Sequence, residues 1–406
     1  MNSTDIRRIF DDTAYVRVGG SAEEKRCAEY LVNHLAQKGL NATLEPFEVD
    51  MAAIREATLT VDGVDIPCKG YLGAGTHTVE APFVYLRGTD AFSLNQVKGC
   101  IVMIEGGLRY WMFRDLIKAG AVGFITFAGD IYYADEDIDQ RELRAFISQG
   151  EYLPGVHINV KRAVRLIEKG AQTARIHLVQ DQWKGESQNV RLDLPGQTDE
   201  WIVLTAHYDS TALSVGAYDN MNSSIALLSL AERFSKQNTR YGLRFLWCGS
   251  EERGLLGSKA YTEKEEELKN IVLCVNIDMI GSLMGGFIAC ATAEEKLMHY
   301  VQYMSQIKGF GVRARQDVYS SDSTPFADKG IPAISFARLT PAGTSNIHSR
   351  YDSQLVLSMD NMVADIDFIG DFVDTMANAA QCPVAREMPD NMKEKLDIYL
   401  NRKRNT

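Results

Sequence analysis

The sequence predicts a two-domain α/β protein, with a mostly parallel, mixed sheet sandwiched by helices and a smaller α/β domain inserted into it. Three observations support this prediction. A chain of 406 residues exceeds the size of one ordinary hydrophobic core. After residue 190, nearly continuous apolar strings alternate with amphipathic helical stretches, as in parallel strands covered on both faces. From residue 51, shorter β-rich runs alternate with brief helical stretches, which is typical of a separate small domain.

The larger domain is predicted to consist of residues 1–50 and 183–406, with the inserted domain formed by residues 51–182. The first long helix is expected to begin after Ser21, because serine is a favoured N-cap residue. Near the end of the chain, the string MKEKLDIYLNRK (392–403) predicts a solvated helix. No internal repeat or low-complexity segment interrupts this order.

The composition narrows the classes of partner. With 54 acidic and 43 basic side chains the net charge is −11, which disfavours nucleic acid and anionic membranes because both require a basic surface. No apolar stretch is long enough for a membrane span, and the first residues lack the apolar core of a signal peptide. The seven cysteines are scattered without a C-x-x-C pair, which favours free thiols. A cytoplasmic protein with neither nucleic-acid nor membrane partners is therefore expected, and the oligomeric state stays open.

Acidic and imidazole side chains lie at the ends of the predicted strands and in the loops beside them. They are His207 and Asp209 after WIVLTA, Asp219 before the next helix, Glu251 and Glu252 after LRFLWCGS, Asp278 after NIVLCVNI, and His348 beyond IPAISFAR. Because ligands gather at the carboxyl ends of parallel strands, we expect these groups to converge. Converging carboxylates repel one another unless a multivalent cation lies between them. The pattern therefore predicts a metal site, whereas His34, His77, His157, His177 and His299 lack such companions and are expected to be structural.

Imidazole nitrogens and carboxylate oxygens are donors that suit zinc, with cobalt or manganese as substitutes. Even five of these seven side chains would be too many for one catalytic zinc that keeps a position open for water. Two ions roughly 3.5–4 Å apart that share a carboxylate fit the number better. The spare acid of the Glu251–Glu252 pair is then a candidate general base for activating water.

Six strings occur in a characteristic order: AHYDS, GAYDN, GSEERGLLGS, NIDMIG, SDSTPF with GIPAISF, and NIHSRYD. Together they resemble the signatures of the di-zinc aminopeptidase family that includes bacterial leucyl aminopeptidases, aminopeptidase Y, glutamate carboxypeptidase and the transferrin receptor. The resemblance implies that His207 and Asp278 bind one zinc, that Glu252 and His348 bind the other, and that Asp219 bridges both. This chain departs from the common family pattern by having SDS where SDH is frequent.

The resemblance also implies roles around the metals. Glu251 would be the base and then the acid that protonates the leaving amine. Asp209 would orient His207, since residues two apart on a strand point the same way. Asp352 is a second candidate of this supporting kind. Tyr319 lies near the place where some family members have an oxyanion-stabilising tyrosine.

Part of the inserted domain has a resemblance of its own. The strings VKGCIVMIEGG, AGAVGFITFAG and LPGVHINVKRAVRLIEKG are similar to the protease-associated domain found in many members of the family. That domain is thought to limit access of substrate to the active site, so the same role is expected here by analogy of fold.

The predicted function is that of a metallopeptidase that uses two zinc ions to remove N-terminal residues from peptide substrates. Alternatives within the same chemistry are a carboxypeptidase or an aminoacylase-like amidohydrolase, for which Arg338 or Arg350 would have to bind a substrate carboxylate. A single-zinc glutaminyl cyclase and a non-catalytic receptor would each have fewer ligands. A serine hydrolase using Ser210 is disfavoured, because the sequence has no G-x-S-x-G elbow.

Overall fold

The computed structural model describes residues 1, 3–88, 90–132 and 138–404. The chain forms two compact units: the larger unit is Met1–Val49 with Glu186–Thr406, and the inserted unit is Asp50–Gly185. The boundaries predicted from the sequence lie after residues 50 and 182. Both boundaries fall inside long strands, Thr43–Val61 and Thr173–Leu194, so no loop marks either junction.

The helices are distributed among the strands along the chain. They are α1 (Ser3–Asp12), α2 (Ala22–Gln37), α3 (Ala91–Leu94), α4 (Tyr110–Ala119), α5 (Ala145–Ser148), α6 (Val160–Glu168), α7 (Asn222–Phe234), α8 (Leu256–Thr262), α9 (Glu265–Leu268), α10 (Glu295–Lys308), α11 (Ser323–Asp328), α12 (Met359–Asn378) and α13 (Asp390–Tyr399). A distorted turn, Ala217–Met221, precedes α7, and a short 3-10 helix, Gln354–Val356, precedes α12. Ser21 caps α2 by accepting a hydrogen bond from the backbone N–H of Glu24, as the sequence predicted.

The strands vary from two residues to more than twenty. They are β1 (Thr43–Val61), β2 (Val64–Ile66), β3 (Lys69–Gly70), β4 (His77–Tyr85), β5 (Ile101–Glu105), β6 (Gly123–Ala128), β7 (Gly155–Asn159), β8 (Thr173–Leu194), β9 (Trp201–His207), β10 (Gly242–Cys248), β11 (Ile271–Ile277), β12 (Gly286–Thr292), β13 (Val312–Gln316) and β14 (Ala333–Leu339).

The sheet of the larger unit has the strand order β13-β12-β14-β11-β9-β10-β8. Strand β9 pairs in parallel with β10 and β11, and β11 pairs in parallel with β14. The ladders of β12 with β14 and of β10 with β8 are antiparallel. The sheet is therefore mostly parallel but mixed, and the predicted fold class is confirmed.

Alternating side chains of the central strands pack into cores on both faces of this sheet. Along β9, Ile202 and Leu204 join the core that includes α7 and α12, whereas Val203 joins the core that includes α8, α11 and α13. All three are buried, as expected for a parallel strand covered on both sides. The predicted last helix is present as α13 and is mostly accessible to solvent, but Met392 and Leu396 are buried in the second core.

The inserted unit has its own core. Strands β4, β5, β6 and β7 form parallel pairs in that order, and β3 adds to β7 in the antiparallel sense. Phe113 and Leu116 of α4 pack with Ile125 of β6 in this core. No helix among the described residues of either unit combines the length and apolarity needed to cross a membrane.

Candidate metal centre

The parallel strands bring the predicted site residues to one edge of the larger sheet. His207 is the last residue of β9 and lies opposite Cys248, the last residue of β10. Glu251 follows β10 by three residues, and Asp278 directly follows β11. Because these strands run in the same direction, their polar ends meet at the same edge.

Asp219 lies at the centre of the cluster, in the distorted turn before α7. Its Oδ1 atom is 3.2 Å from Nε2 of His207, and its Oδ2 atom is 3.1 Å from Nε2 of His348. The two oxygens of one buried carboxylate thus face two different imidazoles. The peptide bond between Asp219 and Asn220 is cis.

Each imidazole has a further carboxylate beside it. The Oδ1 atom of Asp278 is 3.8 Å from Nε2 of His207, and the Oε2 atom of Glu252 is 3.1 Å from Nε2 of His348. Two groups result, His207–Asp219–Asp278 and Asp219–Glu252–His348, and within each group the candidate ligand atoms lie within 4.8 Å of one another. The structure therefore divides the five predicted ligands into the two sets that the family resemblance implies, with Asp219 in both.

The donor chemistry of these sets fits divalent cations such as zinc. Both sets combine one imidazole nitrogen with two carboxylate oxygens, which are zinc ligands in other proteins. The Oδ1 atom of Asp278 is buried and has no hydrogen-bond partner among the described residues. A buried carboxylate oxygen without a partner is unfavourable unless a cation lies beside it. These five residues are thus able to hold a pair of cations that share Asp219.

The pKa shifts in the cluster report its excess of negative charge. Burial lowers the pKa of His348, but the carboxylates of Glu252 and Asp219 outweigh it and raise that pKa to about 11. Burial raises the pKa of Glu251 well above its usual value, with repulsion from Glu252 and other acids adding to the effect. Burial would raise the pKa of Asp219 too, yet hydrogen bonds to the two imidazoles hold it below its usual range. A positive charge is therefore strongly favoured at this place.

Glu251, the predicted base, lies at the edge of the first set. Its Oε2 atom is 3.8 Å from Nε2 of His207, and its side chain is 12% exposed. It is therefore close enough to the candidate metal ligands to act on water beside them while keeping some access to solvent.

Asp209 holds several parts of the site together. Its Oδ1 atom is 3.3 Å from Nδ1 of His207, and the predicted orienting role of Asp209 stays a prediction. In addition, Oδ1 accepts a hydrogen bond from the backbone N–H of Glu251 (3.0 Å), and Oδ2 accepts one from the backbone N–H of Glu252 (3.1 Å). These last two contacts were not predicted, since they depend on the conformation of the turn after β10.

Two further residues support the acidic ligands. Asp352 accepts hydrogen bonds from the backbone N–H groups of Tyr218 (2.8 Å) and Asp219 (3.1 Å), and burial raises the pKa of Asp352 to about 6. Asn220, which sequence analysis missed, spans the residues on either side of Asp278. Its Nδ2 donates to the carbonyl of Ile277 (3.2 Å) and its Oδ1 accepts from the N–H of Met279 (3.0 Å). The only sequence signal for Asn220 is its place in the string GAYDN.

Tyr319 is almost completely buried, and its hydroxyl has no hydrogen-bond partner within the described part of the chain. Burial, together with the negative charge of Asp278, raises the pKa of its phenol well above the usual value. The phenol therefore keeps its proton and is available as a hydrogen-bond donor. Its predicted oxyanion role stays a prediction.

The SDS string marks a buried polar region that sequence analysis left without a role. Asp322 accepts a hydrogen bond from Ser258 at 2.6 Å, and burial raises the pKa of Asp322 to about 6. Ser323, where the family often has histidine, is hydrogen-bonded to Ser335 at 2.8 Å. The serine that departs from the family pattern is therefore buried, with its hydroxyl paired.

Ser210 and Arg338, which were considered for the alternative functions, are engaged in other contacts. The hydroxyl of Ser210 donates to the carbonyl of Ser214 (2.8 Å) and accepts from the backbone N–H of Arg17 (3.0 Å). Arg338 forms a bidentate ion pair with the buried carboxylate of Asp365. Neither arrangement supports a nucleophilic role for Ser210 or a free guanidinium at Arg338 for a substrate carboxylate.

The fold and the strand-end cluster define an α/β protein with a candidate two-metal site. Residues 189–369 match the sequence model of Peptidase family M28. This part of the chain, which contains all five candidate ligands, is therefore similar to peptidase family M28, and the predicted family resemblance is confirmed.

Among the sequence relatives, leucine aminopeptidase 2 from Arthroderma otae is 26% identical over 280 residues, which are 66% of this chain and 55% of that protein. Aminopeptidase YwaD from Bacillus subtilis is 25% identical over 334 residues, or 79% of this chain and 71% of that protein. The chain thus spans about half the length of the fungal relatives that it matches.

Solved structures with similar folds include the aminopeptidase from Aneurinibacillus sp. strain AM-1, with a TM-score of 0.75, 22% identity and coverage of 95% of this chain and 96% of that one. Another is BSAP, described as a zinc aminopeptidase from Bacillus subtilis, with a TM-score of 0.76, 22% identity and coverage of 96% and 97%. At this level of identity the likeness concerns the fold, and it extends over nearly the whole chain.

Proposed function

We propose that this protein is a zinc-dependent aminopeptidase that binds two zinc ions and uses a glutamate as its general base. One observation carries the proposal: the carboxylate of Asp219 lies between His207 and His348, with one oxygen facing each imidazole at 3.2 and 3.1 Å. In a two-metal site, a carboxylate with two opposed imidazoles is suited to bridging two ions. Asp278 and Glu252 complete the two sets of ligands.

Two bound zinc ions would supply polarisation of the scissile carbonyl and a lower pKa for water. Glu251 takes a proton from the water that attacks the carbonyl carbon, and it gives this proton to the amine nitrogen as the C–N bond breaks. Asp209 holds the backbone of Glu251 during these transfers. The phenol of Tyr319 donates a hydrogen bond to the substrate oxygen that gains negative charge.

We infer that the enzyme removes N-terminal rather than C-terminal residues from its peptide substrates. A free α-amine is positively charged and is attracted to a cluster rich in carboxylates. A carboxypeptidase would need a cation for the substrate carboxylate, and Arg338, one of the two arginines considered for this role, is already paired with Asp365 at 13% exposure of its side chain. The names of the relatives, leucine aminopeptidase 2 and aminopeptidase YwaD, agree with this preference.

We propose that the inserted unit is a protease-associated domain that limits which peptides reach the site. Its succession of parallel strands with intervening helices agrees with the resemblance noted in its sequence. The cytoplasmic location and the absence of nucleic-acid and membrane partners likewise stay proposals that rest on composition.

Metal analysis combined with a paired set of substrates tests the proposed function. The purified chain is expected to bind two zinc ions and to hydrolyse aminoacyl chromophores that have a free α-amine, while their N-acetylated counterparts are left intact. Hydrolysis of the blocked substrates alone would replace the aminopeptidase by an amidohydrolase. Failure to bind zinc and to hydrolyse either set after reconstitution would favour a non-catalytic binding protein.

A further inference from the structure

Three consecutive backbone N–H groups in the turn after β10 donate to buried carboxylates. The N–H groups of Glu251 and Glu252 donate to Asp209, as described above. The N–H of Ser250 donates to Oε1 of Glu24 at 2.8 Å. Glu24 lies in the first turn of α2, so it approaches this turn from a part of the chain 226 residues away.

The carboxylate of Glu24 is fully buried, and both of its oxygens are engaged. Oε1 also accepts hydrogen bonds from the hydroxyls of Ser187 (3.0 Å) and Ser250 (3.2 Å). Oε2 accepts one from the backbone N–H of Gly20 at 2.6 Å. Each oxygen accepts from a backbone N–H, which can only donate, so an NH₂ group in the place of either oxygen would face a donor. Burial and the negative charge of Asp209 raise the pKa of Glu24 to about 8.

Helix capping alone does not account for this arrangement. Ser21 and Glu24 have the spacing of a capping box, in which the glutamate at the third helical position bonds back to the N-cap residue. A capping glutamate can remain at the surface, whereas Glu24 is buried and reaches Ser250. Burying a carboxylate is costly, so its distant contact calls for an explanation beyond the helix end.

Close backbone contacts reinforce the link between the two segments. A Cβ atom on Gly19 would lie 2.4 Å from Oγ and 2.8 Å from Cα of Ser250. A Cβ atom on Gly249 would lie 2.9 Å from Oε1 of Glu24. Ser250 itself has a φ of 53°, a left-handed conformation that a non-glycine residue adopts at some cost. Tight packing and directed hydrogen bonds thus hold this conformation in place.

We propose that Glu24 is a positioning residue that fixes the turn carrying the base Glu251 and the ligand Glu252. This inference rests on the proposed aminopeptidase function. Glu24 lies outside residues 189–369, the part of the chain that matches the family model. The N-terminal segment is therefore an integral part of the site.

The substitution Glu24→Gln tests this role while preserving side-chain volume. Glutamine has one acceptor oxygen, so in either orientation its NH₂ group faces the N–H of Ser250 or of Gly20. We expect kcat to fall about 10–100-fold and the zinc affinity of the apo protein, measured by chelator competition, to fall by a similar factor, with KM changing much less.

Asp193→Asn is the matched control for a loss of stability alone. Asp193 pairs with Arg191 and Arg244 near the start of β10, at the opposite end of that strand from Glu251. This variant is expected to lower the thermal unfolding temperature while wild-type kcat and zinc affinity are retained. Gly19→Ala is a second test, because it displaces Ser250 while the Glu24 carboxylate is kept, and it should reproduce the losses of kcat and zinc affinity.

Each outcome has one meaning. Wild-type kcat and zinc affinity in Glu24→Gln would overturn the positioning role, provided that the wild-type chain itself hydrolyses free-amine substrates. If Glu24→Gln does not fold, Gly19→Ala decides alone, and wild-type behaviour of that variant would overturn the proposal. A wild-type chain that neither binds zinc nor hydrolyses peptides would instead refute the proposed function.

Discussion

Both units bury a histidine, but the partners of the two imidazoles differ. In the inserted unit, Nδ1 of His157 is 2.7 Å from the hydroxyl of Thr126, which is itself 2.7 Å from the hydroxyl of Tyr71. In the larger unit, His207 is surrounded by the carboxylates of several acids. Both side chains are nearly or fully inaccessible to solvent, so burial alone does not distinguish them.

The two histidines differ in the charge of the groups that surround them. Burial lowers the pKa of His157 to about 3, and the positive charges of Arg141 and Lys69 add to this shift. Burial also lowers the pKa of His207, but Glu251 and the other carboxylates outweigh it and raise that pKa well above the usual value. A buried histidine whose charged neighbours are cations belongs to the core, whereas one among carboxylates is a candidate metal ligand.

The largest effect on activity is expected from Glu251→Gln, in the carboxylate-rich cluster around His207. The amide cannot accept the proton of the attacking water, so kcat should fall by a factor of about 10² to 10⁴. The five candidate ligands are unchanged, and zinc content should stay at two ions per chain. Steady-state kinetics with metal analysis of the same sample checks both points, and near wild-type turnover would remove Glu251 as the base.

A smaller effect is expected from Asp209→Asn. Its carboxylate accepts from two backbone N–H groups and lies beside Nδ1 of His207, whereas an asparagine oxygen replaces only one of the two acceptors. Loss of a group that orients metal ligands typically costs about 10–100-fold in metal affinity or activity. Chelator competition and kinetics on the variant should show losses in this range, and unchanged zinc affinity with unchanged kcat would show that Asp209 is dispensable.

The strand-end residues could be predicted from the sequence because each follows a continuous apolar string. His207 and Asp278 end or follow strands whose side chains are all buried or nearly so, and parallel strands carry their ends to one edge. The mixed sheet was predictable for the same reason. Such patterns involve residues that are neighbours along the chain, so they can be recognised in a single sequence.

The supporting residues could not be predicted in the same way. Glu24 and Ser250 are 226 positions apart, and nothing in the string SAEE distinguishes an ordinary helix cap from a buried strap. Arg17 shows the same limit: its guanidinium donates to the carbonyls of Tyr208, Val215 and Gly216 in the loop before Asp219. These contacts depend on tertiary packing, which hydrophobic periodicity does not encode.

The smallest expected effect is a change in the stability of the inserted unit with pH, caused by His157. Because the folded pKa of His157 is about 3, below the usual 6.5, the unfolded chain binds more protons between these values. Stability of the inserted unit should therefore fall as pH drops below about 6.5, by about 2 kcal/mol at pH 5 from this histidine. His157→Gln should flatten that slope in denaturant unfolding followed at pH 7 and pH 5. A slope in His157→Gln equal to that of the wild type would mean that His157 is not held neutral by its surroundings.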